Sequence, residues 1–201
     1  MLITYLARPF EQSDSEHTKT GWVKDIINNL DQSKIYIYDP ANMEAIKTGE
    51  KLNKHIDQTH ILFIQKKYAE LSKEMCLIWF GQPEPPEDIL EWMKLKRIEK
   101  AQHINMNPEL WGDFEAVIKS DFIIAYLPKG SLTVGTHDEI LTAMLFHIPV
   151  YLIMPNMKNK SRTEKSNVFN KTNYNKIVTS GGKWFWSVKS CIKYIKEKYT
   201  L

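Results

Sequence analysis

The sequence predicts an α/β fold built on a doubly wound sheet of about five parallel strands, and three observations carry that expectation. Residues 122–127 (FIIAYL) and 149–154 (PVYLIM) are short, almost uninterrupted apolar runs, as strands buried on both faces need. A polar loop and one amphipathic, helix-length segment separate them, which makes the pair a parallel βαβ unit. A second strand-to-helix step opens the chain, with LITYLA at 2–7, helical spacing over 22–30 and a further strand at 34–38. Repeated steps of this kind give a flavodoxin- or Rossmann-like sheet with helices on both faces.

Each element follows in order. The first strand, 2–7, stops at Arg8-Pro9, because proline cannot donate to the ladder, and the polar stretch 11–20 is a loop. Trp22, Val23, Ile26, Ile27 and Leu30 recur at helical spacing. The strand at 34–38 then breaks at Asp39-Pro40. Between 41 and 107 the pattern is helical, so this span is expected as an insertion in a single 201-residue domain. One long helix fits 51–80, the three prolines of 81–86 interrupt it, and a charged helix fits 87–102. Trp79, Phe80 and Trp92 in this span are available to stack on a base, although aromatic residues at helical spacing are also the usual content of a core. Asn107-Pro108-Glu109 has the cap, first-position proline and early acid of a helix start. Leu110, Trp111, Phe114, Val117 and Ile118 form its apolar face, with Asp113 at the edge. Beyond Pro155 the sequence predicts a lysine-rich loop to Lys171, a short strand around Ile177, a turn at Ser180-Gly181-Gly182 and a last helix over 184–199.

Composition excludes several classes. Twenty-seven basic against 24 acidic residues leave a net charge of +3, too small to argue for nucleic acid. Cys76 and Cys191 are the only cysteines and lack C-x-x-C spacing, so no disulfide framework is expected. His55, His60 and His103 are scattered without ligand spacing, so no metal is expected, and no cofactor is expected. No segment approaches the length of a membrane span and the N-terminus lacks signal-peptide character, so the expected location is cytoplasmic, with no membrane partner.

Function is expected at the loop 128–136, which leaves the carboxyl end of a central strand, where open parallel sheets hold ligands. Thr136 and Glu139 have the T-x-x-E spacing of a capping box, which predicts a helix start at Thr136 and puts Glu139 in its first turn. An ionised carboxylate is favoured there, as a nucleophilic Glu requires. A plain helix cap is the competing reading.

Asp113, Asp121 eight residues later and the loop Gly135-Thr136-His137-Asp138-Glu139 share their order and spacing with the nucleoside 2-deoxyribosyltransferase family. The opening Tyr5-Leu6-Ala7-Arg8-Pro9 also resembles the family's first strand and loop, with Arg8 where Gly is usual. The resemblance covers about the first ten residues and the run from 113 to about 180. It implies cleavage of the N-glycosidic bond of nucleosides or nucleotides, with Glu139 as nucleophile, Asp113 holding or protonating the base, and the Tyr5 hydroxyl beside nucleophile and sugar. Arg8, Thr133, Gly135 and Thr136 are the implied substrate-binding positions. Ser166 and Asn167 are the nearest matches to a segment that, in the family, completes a neighbouring subunit's site, which implies a homo-oligomer sharing active sites. Thr133 stands where the transferases have Asp; the related 2'-deoxynucleoside 5'-phosphate N-hydrolases have Ser there. Transfer of the deoxyribosyl group to another base, hydrolysis of a 5'-monophosphate and a non-catalytic nucleotide-binding module all remain open at this point.

Overall fold

The computed structural model describes residues 1–7, 21–40, 44–45, 50–128, 134–155 and 171–201. The chain divides into two compact units, one formed by Met1–Ile37 with Ser120–Leu201, the other by Tyr38–Lys119.

The first unit contains the expected sheet. Its strands are β1 (Leu2–Ala7), β2 (Ile35–Tyr38, whose last residue begins the second unit), β5 (Phe122–Tyr126), β6 (Val150–Ile153) and β7 (Lys183–Phe185). They lie in the order β2-β1-β5-β6-β7 and run parallel. Register is fixed by pairs such as Tyr5 with Ile123, Ala125 with Leu152 and Leu152 with Trp184. All five β5 residues and all four of β6 are buried, which is why these strands read as unbroken apolar runs rather than as alternation. The Asp121 carboxylate accepts the Ile3 N–H at 2.7 Å, stitching the start of β5 to β1.

Alternation along the strands sorts the two faces. Leu6, Phe122, Ile124, Tyr126, Tyr151, Ile153 and Phe185 form one core with Trp22, Val23 and Ile26 of α1 (Trp22–Asn29) and Cys191, Ile192 and Ile195 of the last helix, Val188–Tyr199. Trp22 stacks on Tyr126 with ring centroids 4.8 Å apart and pins α1 to the sheet. The opposite face carries Tyr5 and is covered by α6 (Val134–Leu145), which packs on β1, β5 and β6 and against α7 (Lys171–Thr179). The sheet is therefore wound on both faces.

Two expectations near the C-terminus are corrected. Ile177 lies within helix α7, and the last strand is β7, six residues later, where Lys183–Phe185 pairs with β6. The last helix, α8 (Val188–Tyr199), starts at the Ser187 cap, whose hydroxyl accepts the Ser190 N–H, rather than at Trp184. Gly182 explains the placement of β7. A Cβ there would lie 2.0 Å from the Val150 carbonyl oxygen, so only glycine lets the turn approach β6 this closely.

The second unit holds a two-stranded antiparallel ribbon, β3 (Glu44–Ala45) with β4 (Glu50–Lys51), which the sequence reading did not foresee. The long helix expected over 51–80 is two, α2 (Leu52–Ile64) and α3 (Tyr68–Phe80), broken where Lys66 takes a left-handed φ of 57°. Helix α4 (Ile89–Gln102) is capped by Asp88, whose carboxylate accepts the Glu91 N–H at 2.9 Å. The helix expected from Asn107 is instead a 3-10 turn, Pro108–Leu110, followed after Trp111-Gly112 by α5 (Asp113–Lys119). Gly112 causes the break. A Cβ on it would meet the Gly81 nitrogen at 2.5 Å and the Trp79 carbonyl oxygen at 2.6 Å, so the chain here lies against the end of α3. Trp79, Phe80, Trp92 and Phe114 pack on one another, with centroid separations of 5.3–5.9 Å for Phe80–Trp92, Phe80–Phe114 and Trp79–Phe114. Phe80 is buried, while Trp79, Trp92 and Phe114 are half-buried.

Candidate active site

In a sheet of this order the connections diverge from between β1 and β5, and the crevice outside their carboxyl ends is where ligands bind. Helix α6 follows β5 and packs on β1, β5 and β6. Its buried stripe is Thr136, Ile140 and Ala143, at i, i+4 and i+7, with Glu139 and Thr142 alongside.

The Tyr5 hydroxyl donates to Glu139 Oε1 at 2.6 Å, joining residues 134 apart in the chain. Tyr5 is fully buried and Glu139 is 7% exposed. A bond this short is typical of a hydroxyl on a carboxylate, and a charge-assisted bond of this kind is roughly twice as strong as a neutral one. It fixes one oxygen and leaves the carboxylate oriented by a rigid strand, as a nucleophile on a helix requires.

The capping box is not formed. Helix α6 starts at Val134, so Thr136 is its third residue and Glu139 its sixth, with no acidic residue in the first turn. The Thr136 hydroxyl oxygen is buried without a hydrogen-bond partner, rather than capping the Glu139 N–H. Glu139 is thus held by tertiary contact with β1, not by the helix N-terminus. Gly135 is exposed in the first turn, with open space where a Cβ would stand. His137, on another side of α6, is held below the usual histidine range first by burial and then by the Lys176 charge, with Asp138 acting the other way. The imidazole is therefore neutral at neutral pH.

Of the remaining expected residues, Asp113 belongs to the second unit. It opens α5 and is 8% exposed. Arg8, Thr133, Ser166 and Asn167 lie outside the described residues.

Sequence reasoning missed a buried ion cluster in the second unit. Lys119, fully buried, donates to Glu99 Oε2 at 2.6 Å and to the Asn105 carbonyl at 3.0 Å, and pairs with Glu115 at 2.8 Å. Its ammonium lies 5.1 Å from the centre of the Trp111 ring. Lys96 reaches the same two carboxylates at 3.3 and 3.2 Å. The i,i+4 spacing of Glu115 and Lys119 was visible in the sequence; their burial was not. Among the described residues no group of three or more His, Cys, Asp or Glu is placed to hold a metal ion, and no helix is long and apolar enough to cross a membrane. Neither the scan of family models nor the search of curated proteins finds a match to this chain.

Proposed function

We propose that this protein cleaves the N-glycosidic bond of nucleosides or nucleotides through a covalent glycosyl intermediate on Glu139 and passes the glycosyl group to another base or to water. The observation that supports this reading best is the buried 2.6 Å hydrogen bond from Tyr5 to Glu139 at the divide between β1 and β5.

In the first step a Glu139 oxygen bonds to C1' as the C1'–N bond breaks. The bonding pair leaves with the base, which takes up a proton. In the second step an acceptor base nitrogen or a water oxygen bonds to C1', the ester bond breaks and its electron pair returns to Glu139; the acceptor gives up a proton. The Tyr5 hydroxyl orients the carboxylate throughout and stabilises it as the leaving group of the second step. Asp113 enters this reading through the resemblance, as the group that holds or protonates the departing base. Thr133, a neutral hydroxyl where the transferases have a carboxylate, holds an acceptor base less firmly, so hydrolysis accompanies transfer.

The test is base release from ribo- and deoxyribonucleosides and their 5'-monophosphates, with and without a free acceptor base, for the wild type and Glu139→Gln. The amide oxygen introduced by Glu139→Gln still accepts from Tyr5, so the fold should persist while release falls by several orders of magnitude. Intact mass measurement of the wild type during turnover should reveal the glycosyl ester. Glu139→Gln turning over like the wild type would overturn the assignment. In the same panel, Asp113→Asn should slow poor leaving groups most; a uniform effect would remove its proton-donating role.

A further inference from the structure

We infer that the apex of the α2–α3 hairpin docks on the surface of an anionic lipid bilayer, dipping its apolar side chains into the headgroup region while two lysines meet the anionic headgroups.

Four large apolar side chains at this apex face water. Phe63 is 62% exposed, Ile64 65%, Tyr68 60% and Ile61 46%. Every residue from Phe63 to Glu70 is exposed, so the end of α2, the turn and the first residues of α3 stand clear of their unit. Leu62, by contrast, turns inward and is buried. Exposed apolar groups gathered at one point, rather than scattered singly, mark a contact surface.

The turn that carries them is fixed. The Lys66 N–H donates to the Phe63 carbonyl at 3.1 Å and the Lys67 N–H to the Leu62 carbonyl at 3.0 Å, with Lys66 left-handed at φ 57°. These are the two bonds of a Schellman closure, whose left-handed position is usually glycine. Here it is lysine, and a second lysine follows. The apex therefore presents its apolar and basic side chains from a defined backbone, so little ordering of the chain opposes docking.

Charge selects the partner. No Asp or Glu occurs from Gln58 to Ala69, and Lys66 and Lys67 are both exposed. A second copy placed apex to apex would bring like charges together. A stable protein partner also takes about 800 Å² from each side, more than four partly exposed side chains at a turn supply. Nucleic acid would meet the lysines but leave Phe63 and Ile64 in water. An anionic bilayer surface answers both features, because aromatic and aliphatic groups settle at headgroup level and ammonium groups are drawn to acidic lipids. Attachment takes two such signals together, and the apex has both. Docking of this kind needs no span, the ground on which a membrane partner was not expected.

The experiment is co-sedimentation of the whole protein with vesicles of phosphatidylcholine alone and of phosphatidylcholine mixed with phosphatidylserine. The wild type should sediment with the mixed vesicles, far less with the neutral ones, and less again as salt is raised. Lys66→Gln with Lys67→Gln should lower partitioning roughly 30-fold, about fivefold for each charge. Phe63→Ser with Ile64→Ser should abolish it. Both pairs change exposed side chains, so melting temperatures should hold. Cys76 and Cys191 are buried, so Gln65→Cys takes an environment-sensitive dye selectively. Its emission should shift to the blue on mixed vesicles, whereas the same dye at Lys193→Cys, on α8, should not respond. Absence of sedimentation with mixed vesicles overturns the inference. So does equal sedimentation with neutral vesicles, or binding that survives Phe63→Ser with Ile64→Ser. A wild-type dimer dissolved by that double substitution, in place of vesicle binding, overturns it too, since a second copy would then cover the apex.

Discussion

At the residue scale, Glu139 is a carboxylate withdrawn from water that accepts a hydrogen bond from the Tyr5 phenol. A hydrogen bond to a charged acceptor in such a place contributes about 1.5–3 kcal/mol. Tyr5→Phe should therefore lower stability by about that amount and slow base release, since the nucleophile loses the group that orients it. The check is a double-mutant cycle in chemical denaturation. In the Glu139→Gln background the acceptor is neutral, so the Tyr5→Phe penalty should fall to roughly half. An unchanged penalty would mean that tyrosine matters there for packing alone. The two residues were legible in the sequence only through the order and spacing of short motifs. Nothing in LITYLA by itself says that the hydroxyl of its tyrosine meets a carboxylate, because strand alternation tells which residues share a face but not what packs on it.

At the scale of elements, spacing proved ambiguous in an instructive way. T-x-x-E describes an N-cap and third helical residue, and equally a third and sixth residue one turn further on, because both are i,i+3 pairs on one helix face. The sequence therefore placed Thr136 and Glu139 together correctly and misjudged where the helix began. The error around Ile177 has a related cause: a polar, weakly patterned helix and a three-residue strand leave little periodic signal, and the decisive contact is the close approach of Gly182 to Val150. Helix α5 shows what sequence could not supply, since nothing in the local pattern marks Lys119 as the centre of a buried cluster. Lys119→Met should cost about 3–5 kcal/mol, towards the lower figure because Lys96 still faces Glu99 and Glu115. Its pH dependence follows from Glu99. Burial alone would raise that carboxyl's pKa, but hydrogen bonds from Lys119 and Asn105 and the charges of Lys119 and Lys96 outweigh it and hold the group below the ordinary range. Wild-type stability from this source is full above the ordinary glutamate pKa and is lost as pH falls through the lowered value. In Lys119→Met that lowering is relieved, so the stability gap to wild type should narrow on acidification. A gap that stays constant with pH would assign the loss to packing.

At the scale of the molecule, the sheet was the most legible feature, because β5 and β6 are buried on both faces and leave almost unbroken apolar runs that neither a surface strand nor an amphipathic helix produces. Strand order was not legible, since parallel connections allow several, and the observed β2-β1-β5-β6-β7 is what turns a list of motifs into a location. With β1 and β5 adjacent, their carboxyl ends and the first turn of α6 should form one ligand-responsive region. The amino ends, where the Tyr151 and Tyr199 hydroxyls meet at 2.8 Å beside Phe122, should form another that does not respond. Amide hydrogen exchange distinguishes the two. In Glu139→Gln, where bound nucleoside persists, a saturating nucleoside that the wild type cleaves should slow exchange at Leu6, Ala7, Leu127 and Val134 to Thr136. Ile3, Phe122 and the last turn of α8 should remain unchanged. The central amides of β5 and β6 should exchange only through global unfolding in either state, because each pairs inside a sheet covered on both faces. Protection centred on Phe122 and Tyr199 would place the ligand at the wrong end of the sheet, and the Glu139 assignment would fall with it.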